Sequence, residues 1–110
     1  MIVTTGNDVV GHTIAEYIGV VRGIVVRSPS ISQGFFGGLK QIVGGNIEAF
    51  AAVCETARED AFQRMVEHAE EKEADAIIAM RYDATEFSER ATEVLAYGTA
   101  VRLARAAERA

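Results

Sequence analysis

The feature that most constrains this chain is an amphipathic stretch that runs from about Ile47 to about Glu73. Its apolar residues recur at helical intervals and form one stripe made of Phe50, Val53, Cys54, Ala57, Ala61, Met65, Val66 and Ala69. This spacing predicts an α-helix with one buried face. Like charges repel at i,i+4 spacing on the other side, as at Glu55 and Glu59, so packing must supply most of the helix's stability.

Segments rich in β-branched residues lie on both sides of this helix. Residues 1–5 and 13–28 predict two strands, and the two glycines inside the second predict a bulge or the close approach of another backbone. Residues 75–87 and 92–104 predict a β-hairpin. The last of these strands has one flat face that suits the close approach of another backbone, made of Ala96, Gly98 and Ala100.

The segment "QGFFGGLKQIVGGNIEAF", residues 33–50, surrounds two phenylalanines with five glycines. It lacks the residue order of a phosphate-binding loop. It predicts instead a short helix, a stop at the double glycine and a new helix capped by Asn46. Lys40 and the amides near Asn46 could hold an anion at that helix N-terminus. Phe35 and Phe36 pack either within their own subunit or against a neighbour, and the sequence leaves both arrangements open.

The order of these elements predicts one α+β domain over residues 1–110, with 103–110 as a candidate tail. Its antiparallel sheet would pack with one long and one short helix. A sheet with a single helix layer leaves one face and its edge strands uncovered, and self-association can cover them. We therefore expect a homo-oligomer.

Composition and charge restrict the classes of partner. The chain is 49% apolar and 25% charged, as ordinary globular proteins are, and its net charge is −5. Nine acidic residues accompany only three basic ones between positions 46 and 75. Nucleic acids and anionic membranes both select clustered Lys and Arg, so neither is expected as a partner. A single cysteine and the lack of a signal-peptide pattern predict a cytoplasmic protein.

Metal ligands are sparse in the sequence. No CxxC, HxxxH or HExxH motif occurs, and the candidate ligands reduce to His12, His68 and Cys54. Cys54 is predicted to be a small buried residue of the helix stripe, His68 a solvated side chain and His12 a turn residue. In a closed ring, one ligand from each subunit could converge near the axis, so His12 and Cys54 stay weak candidates for a divalent-metal site between chains.

Enzyme chemistry has little support in the sequence. No serine or cysteine nucleophile has a recognisable histidine partner, and no spacing pairs two carboxylates as acid and base. A non-enzymatic binding or scaffold protein is favoured. The alternative is an enzyme or small-molecule carrier with a pocket between subunits. Polar side chains within the apolar strands would line that pocket, namely Tyr17, Arg22, Arg81 and Tyr82.

Six segments, taken in order, resemble the YbjQ-like family. They are "MIVTT" at 1–5, "EYIGVVRG" at 16–23, "GFFGGLKQIVGG" at 34–45, "AREDAF" at 57–62, "ADAIIAMRYD" at 74–83 and "YGTAVRL" at 97–103. The family is labelled heavy-metal-binding and is otherwise of unknown function. The resemblance implies a dodecin-like subunit and a homopentameric ring. The chain departs from the family pattern at Ile24, where an acidic residue is usual, and at Asn46, where a basic one is usual.

Overall fold

The computed structural model describes residues 1–27, 47–88 and 91–105. These residues form β1 (Ile2–Val3), β2 (His12–Arg27), α1 (Ile47–Glu71), β3 (Ala76–Ser88) and β4 (Ala91–Arg105). The four strands make one sheet in the order β1-β3-β4-β2, and α1 packs across one of its faces. The predicted α+β class is confirmed. The predicted short helix, with Phe35, Phe36, Lys40 and Asn46, lies outside the described residues.

Strand pairing is mixed rather than wholly antiparallel. β4 pairs antiparallel with both β3 and β2, as the predicted hairpin requires. β1 runs parallel to β3, with Ile2 opposite Ala76, so the prediction of an antiparallel sheet is wrong at this edge. The reason is topological, because β1 and β2 follow each other in sequence but lie at opposite edges. β4 continues to Arg105, opposite His12, and residues 103–105 therefore belong to the sheet rather than to the predicted tail.

The two glycines of β2 have the roles that the sequence predicts. Gly19 has a φ of +139° and lies at a register shift between β2 and β4, so it forms a bulge that a residue with a Cβ would strain. Gly23 lies directly beneath α1. A Cβ at Gly23 would overlap the carbonyl oxygen of Ala61 and lie 2.5 Å from the backbone nitrogen of Met65. The absence of a side chain lets helix and strand meet backbone to backbone.

The core lies between α1 and one face of the sheet. α1 contributes Ala57, Ala61, Met65 and Ala69, four buried residues at a spacing of four. The last three pack against a cluster of buried strand residues, Val21, Val25, Ile77, Met80, Ala96 and Ala100. The small residues of β4 thus allow close packing, as predicted. Cys54 is exposed, so its predicted burial is wrong: among the described side chains of α1, burial begins only at Ala57.

The C-terminus of α1 ends in a two-bond capping motif. The Ala74 amide donates to the Ala69 carbonyl at 3.1 Å, and the Glu73 amide donates to the Glu70 carbonyl at 2.9 Å. Glu73 has a φ of 60°, the left-handed conformation that this Schellman motif requires and that glycine usually supplies. The half-buried Ala74 packs against the core and ties the helix end to the sheet.

Side chains of α1 also bind the outer edge of β2. The Arg22 backbone amide donates to His68 Nδ1 at 3.2 Å, and Arg64 Nη1 donates to the Ile24 carbonyl at 3.4 Å. His68 is half-buried and fixed to the strand. The prediction that it is a solvated side chain is therefore wrong, because the helix lies across the strand edge instead of standing clear of it.

The opposite face of the sheet is uncovered over much of its length within the described part of the chain. Tyr17 and Val20 are each 68% exposed there, although both lie inside a long strand. The Cα radius of gyration is 17.7 Å, whereas a compact domain of 110 residues has about 13 Å. The chain is thus elongated and leaves apolar surface open. No helix among the described residues has the length and apolarity needed to span a lipid bilayer.

Candidate ligand cleft and open sheet face

An open cleft of about 510 Å³ lies where β3 begins and β4 ends. It exists because β4 extends past the first residue of β3, so the sheet is stepped at this end. The lining residues come from four places in the chain and are Ile2, His12, Asp75, Leu103 and Arg105. Two are apolar, one is acidic, one is basic and one is an imidazole. Among the described residues, this cleft brings polar and apolar side chains together.

Asp75 is fixed by two hydrogen bonds at the step. Its backbone amide donates to the Val101 carbonyl at 2.9 Å, and its Oδ2 accepts the Leu103 amide at 2.9 Å. The carboxylate thus continues the β3–β4 ladder in place of a backbone carbonyl. Its second oxygen, Oδ1, keeps its acceptor capacity for a ligand.

His12 is oriented by the turn that precedes β2. Its backbone amide donates to the Val9 carbonyl at 3.1 Å, and its Nδ1 lies 3.2 Å from the Val10 carbonyl oxygen. A carbonyl oxygen only accepts, so Nδ1 carries the hydrogen of this bond. In the neutral ring Nε2 is then a hydrogen-bond acceptor. Arg105 lies directly opposite His12 in the β2–β4 register and brings a cation to the same end of the sheet.

A row of three residues crosses the uncovered face of the sheet. Tyr97 on β4 is opposite Arg22 on β2 and Arg81 on β3, and directly opposed residues project to the same face. Arg81 Nη1 donates at 2.8 Å to the carbonyls of Thr5 and Met80, which ties β3 to the segment after β1. Arg81 therefore has a structural contact as well as a place on the open face.

The candidate pocket residues of the sequence analysis divide between the two faces. Tyr17, Arg22 and Arg81 share the uncovered face, since Tyr17 is opposite Val101, which lies on the same face of β4 as Tyr97. Tyr82 is next to Arg81 in an extended strand and so projects to the helix side. Partial burial raises the pKa of the Tyr82 hydroxyl, and the nearby carboxylates of α1 raise it further. Three of the four residues thus share a face, but only Arg22 and Arg81 lie in one row, because Tyr17 is opposite Val101, four β4 positions from Tyr97.

The metal candidates do not form a site within one chain. Among residues 1–27, 47–88 and 91–105, no three His, Cys, Asp or Glu side chains come together in a way that could hold a metal ion. His12 belongs to the cleft, whereas Cys54 lies on α1, and both are exposed.

Sequence reasoning missed Asp75 and Arg105. Asp75 comes directly after the capping motif of α1 and Arg105 lies near the end of the chain, so both resemble ordinary surface charges. A usable signal was the acidic residue directly before a buried strand, because a carboxylate there can accept an amide from the neighbouring strand.

The fold and the site define the class as a small α+β protein whose four-stranded sheet is covered by a helix on one face. A family model described as "Putative heavy-metal-binding" (YbjQ_1) matches residues 1–104, and the chain belongs to this family. The resemblance drawn from the sequence is confirmed.

Two relatives agree with this assignment, and one solved structure shares the fold. The chain is similar to a UPF0145 protein of Legionella pneumophila (strain Corby), 61% identical over 101 residues that cover 92% of this chain and 96% of the relative. A UPF0145 protein of Chromobacterium violaceum is 50% identical over 101 residues, covering 92% and 86%. A crystal structure of a DUF74-family protein of unknown function from Pediococcus pentosaceus has a TM-score of 0.56 at 21% identity, covering 94% and 98%. This last likeness concerns the fold.

Proposed function

We propose that the protein is a homo-oligomeric binding or scaffold protein that assembles as a homopentameric ring and binds a ligand between subunits. The observation that carries self-association is the 68% exposure of Tyr17 and Val20 in mid-strand on the uncovered sheet face. Apolar surface of this kind commonly marks a protein interface. The elongated shape supports the same proposal, and the number five rests on the family resemblance.

The ligand of the ring is proposed to be a divalent heavy metal, in keeping with the family description. No described set of side chains within one chain suffices for a metal. Ligands from several subunits would therefore have to converge, which a ring makes possible. The side chains of both candidates, His12 and Cys54, are exposed. Cys54 is preferred, because His12 lies opposite Arg105, whose charge opposes a doubly charged ion. Thiolates that converge from several subunits suit zinc, copper or cadmium. The single cysteine also fits the proposed cytoplasmic location.

Native mass spectrometry of the purified protein tests both parts of this proposal. We expect a single assembly of five chains, with retained metal visible as added mass. Titration calorimetry with zinc, copper and cadmium then gives the metal stoichiometry. Cys54→Ser and His12→Gln should each weaken binding if the residue is a ligand. Only monomer at micromolar concentration would refute self-association, and no heat with any of the three metals would refute the metal.

A small-molecule carrier or enzyme with a pocket between subunits is the second candidate. It is favoured by the row in which Arg22 and Arg81 flank Tyr97 on the uncovered face. A ring that covers only part of this face would place two cations beside an aromatic ring in a cleft, which suits an anionic ligand. An unidentified organic mass retained in the native spectrum, and lost in Arg22→Gln, would favour this candidate over a metal.

A further inference from the structure

The stepped end of the sheet carries a combination of groups that the proposed metal site does not explain. A cation from Arg105 and a carboxylate from Asp75 line the same cleft as Ile2 and Leu103. Both apolar residues leave surface open to the cleft, and Ile2 is 43% exposed. A ligand that pairs with both Arg105 and Asp75 needs a negative group and a positive group. To cover Ile2 and Leu103 as well, it must also carry an apolar part.

The hydrogen bonds of the cleft decide which polar groups remain for such a ligand. Asp75 uses Oδ2 for the Leu103 amide and retains Oδ1 as an acceptor. His12 uses Nδ1 toward Val10, which leaves Nε2 as an acceptor. The cleft therefore offers two acceptors, Asp75 Oδ1 and His12 Nε2, together with the guanidinium of Arg105, which has only donors. The acceptors favour an ammonium group, and the guanidinium favours a carboxylate.

Arg105 also distinguishes this cleft from a metal site. An imidazole and a carboxylate, as His12 and Asp75 supply, would suit a divalent cation if no positive side chain lined the same cleft. A guanidinium that lines the same cleft opposes a doubly charged ion by direct repulsion. It does not oppose a ligand whose own negative group pairs with it. The balance of charges therefore selects a zwitterion.

We propose that this cleft binds a free α-amino acid with an apolar side chain. The α-carboxylate pairs with Arg105, the α-ammonium donates to Asp75 and His12, and the side chain lies against Ile2 and Leu103. The cleft volume of about 510 Å³ lies in the range of small-molecule sites, roughly 300–1,000 Å³. This site lies within one chain and does not depend on the ring.

The test compares leucine with two analogues that each lack one charge. The full-length protein in its native assembly is titrated with L-leucine, with 4-methylpentanoate and with 3-methylbutylamine, and binding is followed by calorimetry. We expect saturable binding of leucine and at least tenfold weaker binding of each analogue, because each leaves one charged group of the cleft unpaired. Glycine should also bind less tightly, since it lacks the apolar part.

Variants locate the binding to the cleft. Arg105→Gln and Asp75→Asn should each weaken leucine binding about tenfold or more, and His12→Gln should weaken it less. Asp75→Asn keeps an oxygen for the Leu103 amide, and thermal melting confirms that each variant is folded. Arg102→Gln is the matched control, because Arg102 is on the same strand but bonds Glu16 and Glu73 instead. Its leucine affinity should equal that of the wild type.

Three results would overturn the proposal. Equal affinity for 4-methylpentanoate and leucine would make the cleft a simple anion site. Zinc that displaces leucine, and no longer does so in His12→Gln, would make it a metal site. Lack of saturation by leucine up to about 10 mM would show that no useful site exists. None of these three results depends on the number of subunits. Failure of the ring proposal would be seen in the native mass spectrum, whatever the leucine titration shows.

Discussion

Replacing Gly23 with alanine tests how closely α1 sits on β2. The new Cβ would overlap the Ala61 carbonyl oxygen, lie 2.5 Å from the Met65 nitrogen and 2.8 Å from the Arg64 Cβ. All three atoms belong to the helix backbone or its first side-chain carbon, so no flexible group can move aside. The helix as a body must therefore rise from the sheet by about 1–1.5 Å to restore ordinary contact distances.

The cost of this displacement follows from what the helix covers. Ala61, Met65 and Ala69 are completely buried between α1 and the sheet. A gap of 0.5–1 Å forfeits roughly a quarter to a half of the dispersion energy at such contacts. Overpacking of a core typically costs about 1–3 kcal/mol, and the backbone clash places this case near the upper end. Alanine recovers about 0.5–1 kcal/mol of chain entropy relative to glycine, which leaves a net loss of about 2–2.5 kcal/mol.

Thermal unfolding at a fixed protein concentration measures this loss. For a chain of this length, a loss of about 2–2.5 kcal/mol corresponds to a Tm lower by about 10 °C. Gly6→Ala is the control, since its Cβ would meet only Thr4 Oγ1 at 3.4 Å, an ordinary contact. We expect its Tm within about 2 °C of the wild type. If Gly23→Ala melts as Gly6→Ala does, the helix does not lie against β2 as closely as described.

Two substitutions and one labelling experiment test other features of the fold. Glu73→Gly should raise the free energy of unfolding by about 1 kcal/mol, because a left-handed residue with a Cβ is strained at the end of α1; denaturant unfolding measures the change, and a loss of stability would contradict the capping role. Cys54 is exposed, so one thiol per chain should react with a thiol reagent in native protein treated with a metal chelator, and no reaction before unfolding would contradict this exposure. Partial burial raises the pKa of Tyr82 in the folded state. The stability this gives is present below about pH 10 and is lost as pH rises through the folded-state pKa. Tyr82→Phe should therefore remove the part of the phenolate absorbance titration that occurs at the highest pH, and an equal loss across the whole titration would contradict the shift.

Local features of the fold could be predicted from the sequence because local physics determines them. The bulge at Gly19 and the close approach at Gly23 follow from glycines inside a β-branched run. The flat face of β4 follows from residues at every second position. The burial of Cys54 was predicted wrongly, because helical periodicity gives the direction of a side chain but not how far along the helix the sheet extends.

Features that depend on distant pairing could not be predicted in the same way. The parallel pairing of β1 with β3 joins residues more than 70 positions apart, and nothing in a two-residue strand specifies its partner. The cleft likewise combines His12, Asp75 and Arg105 from three separate parts of the sequence. Their meeting depends on the step between β3 and β4, which is a matter of strand register rather than of local propensity.

The bonds from α1 to the outer edge of β2 affect the geometry of assembly. At this edge the Arg22 amide and the Ile24 carbonyl already have partners from the helix. At the opposite edge, β1 and the segment after it bind β3 only as far as Arg81. The two edges of the sheet are thus unlike, so a strand-to-strand contact that joins one edge to the other between copies is a head-to-tail contact. Contacts of this heterologous kind can close into a cyclic ring with an odd number of members, which a purely two-fold, self-complementary contact cannot do.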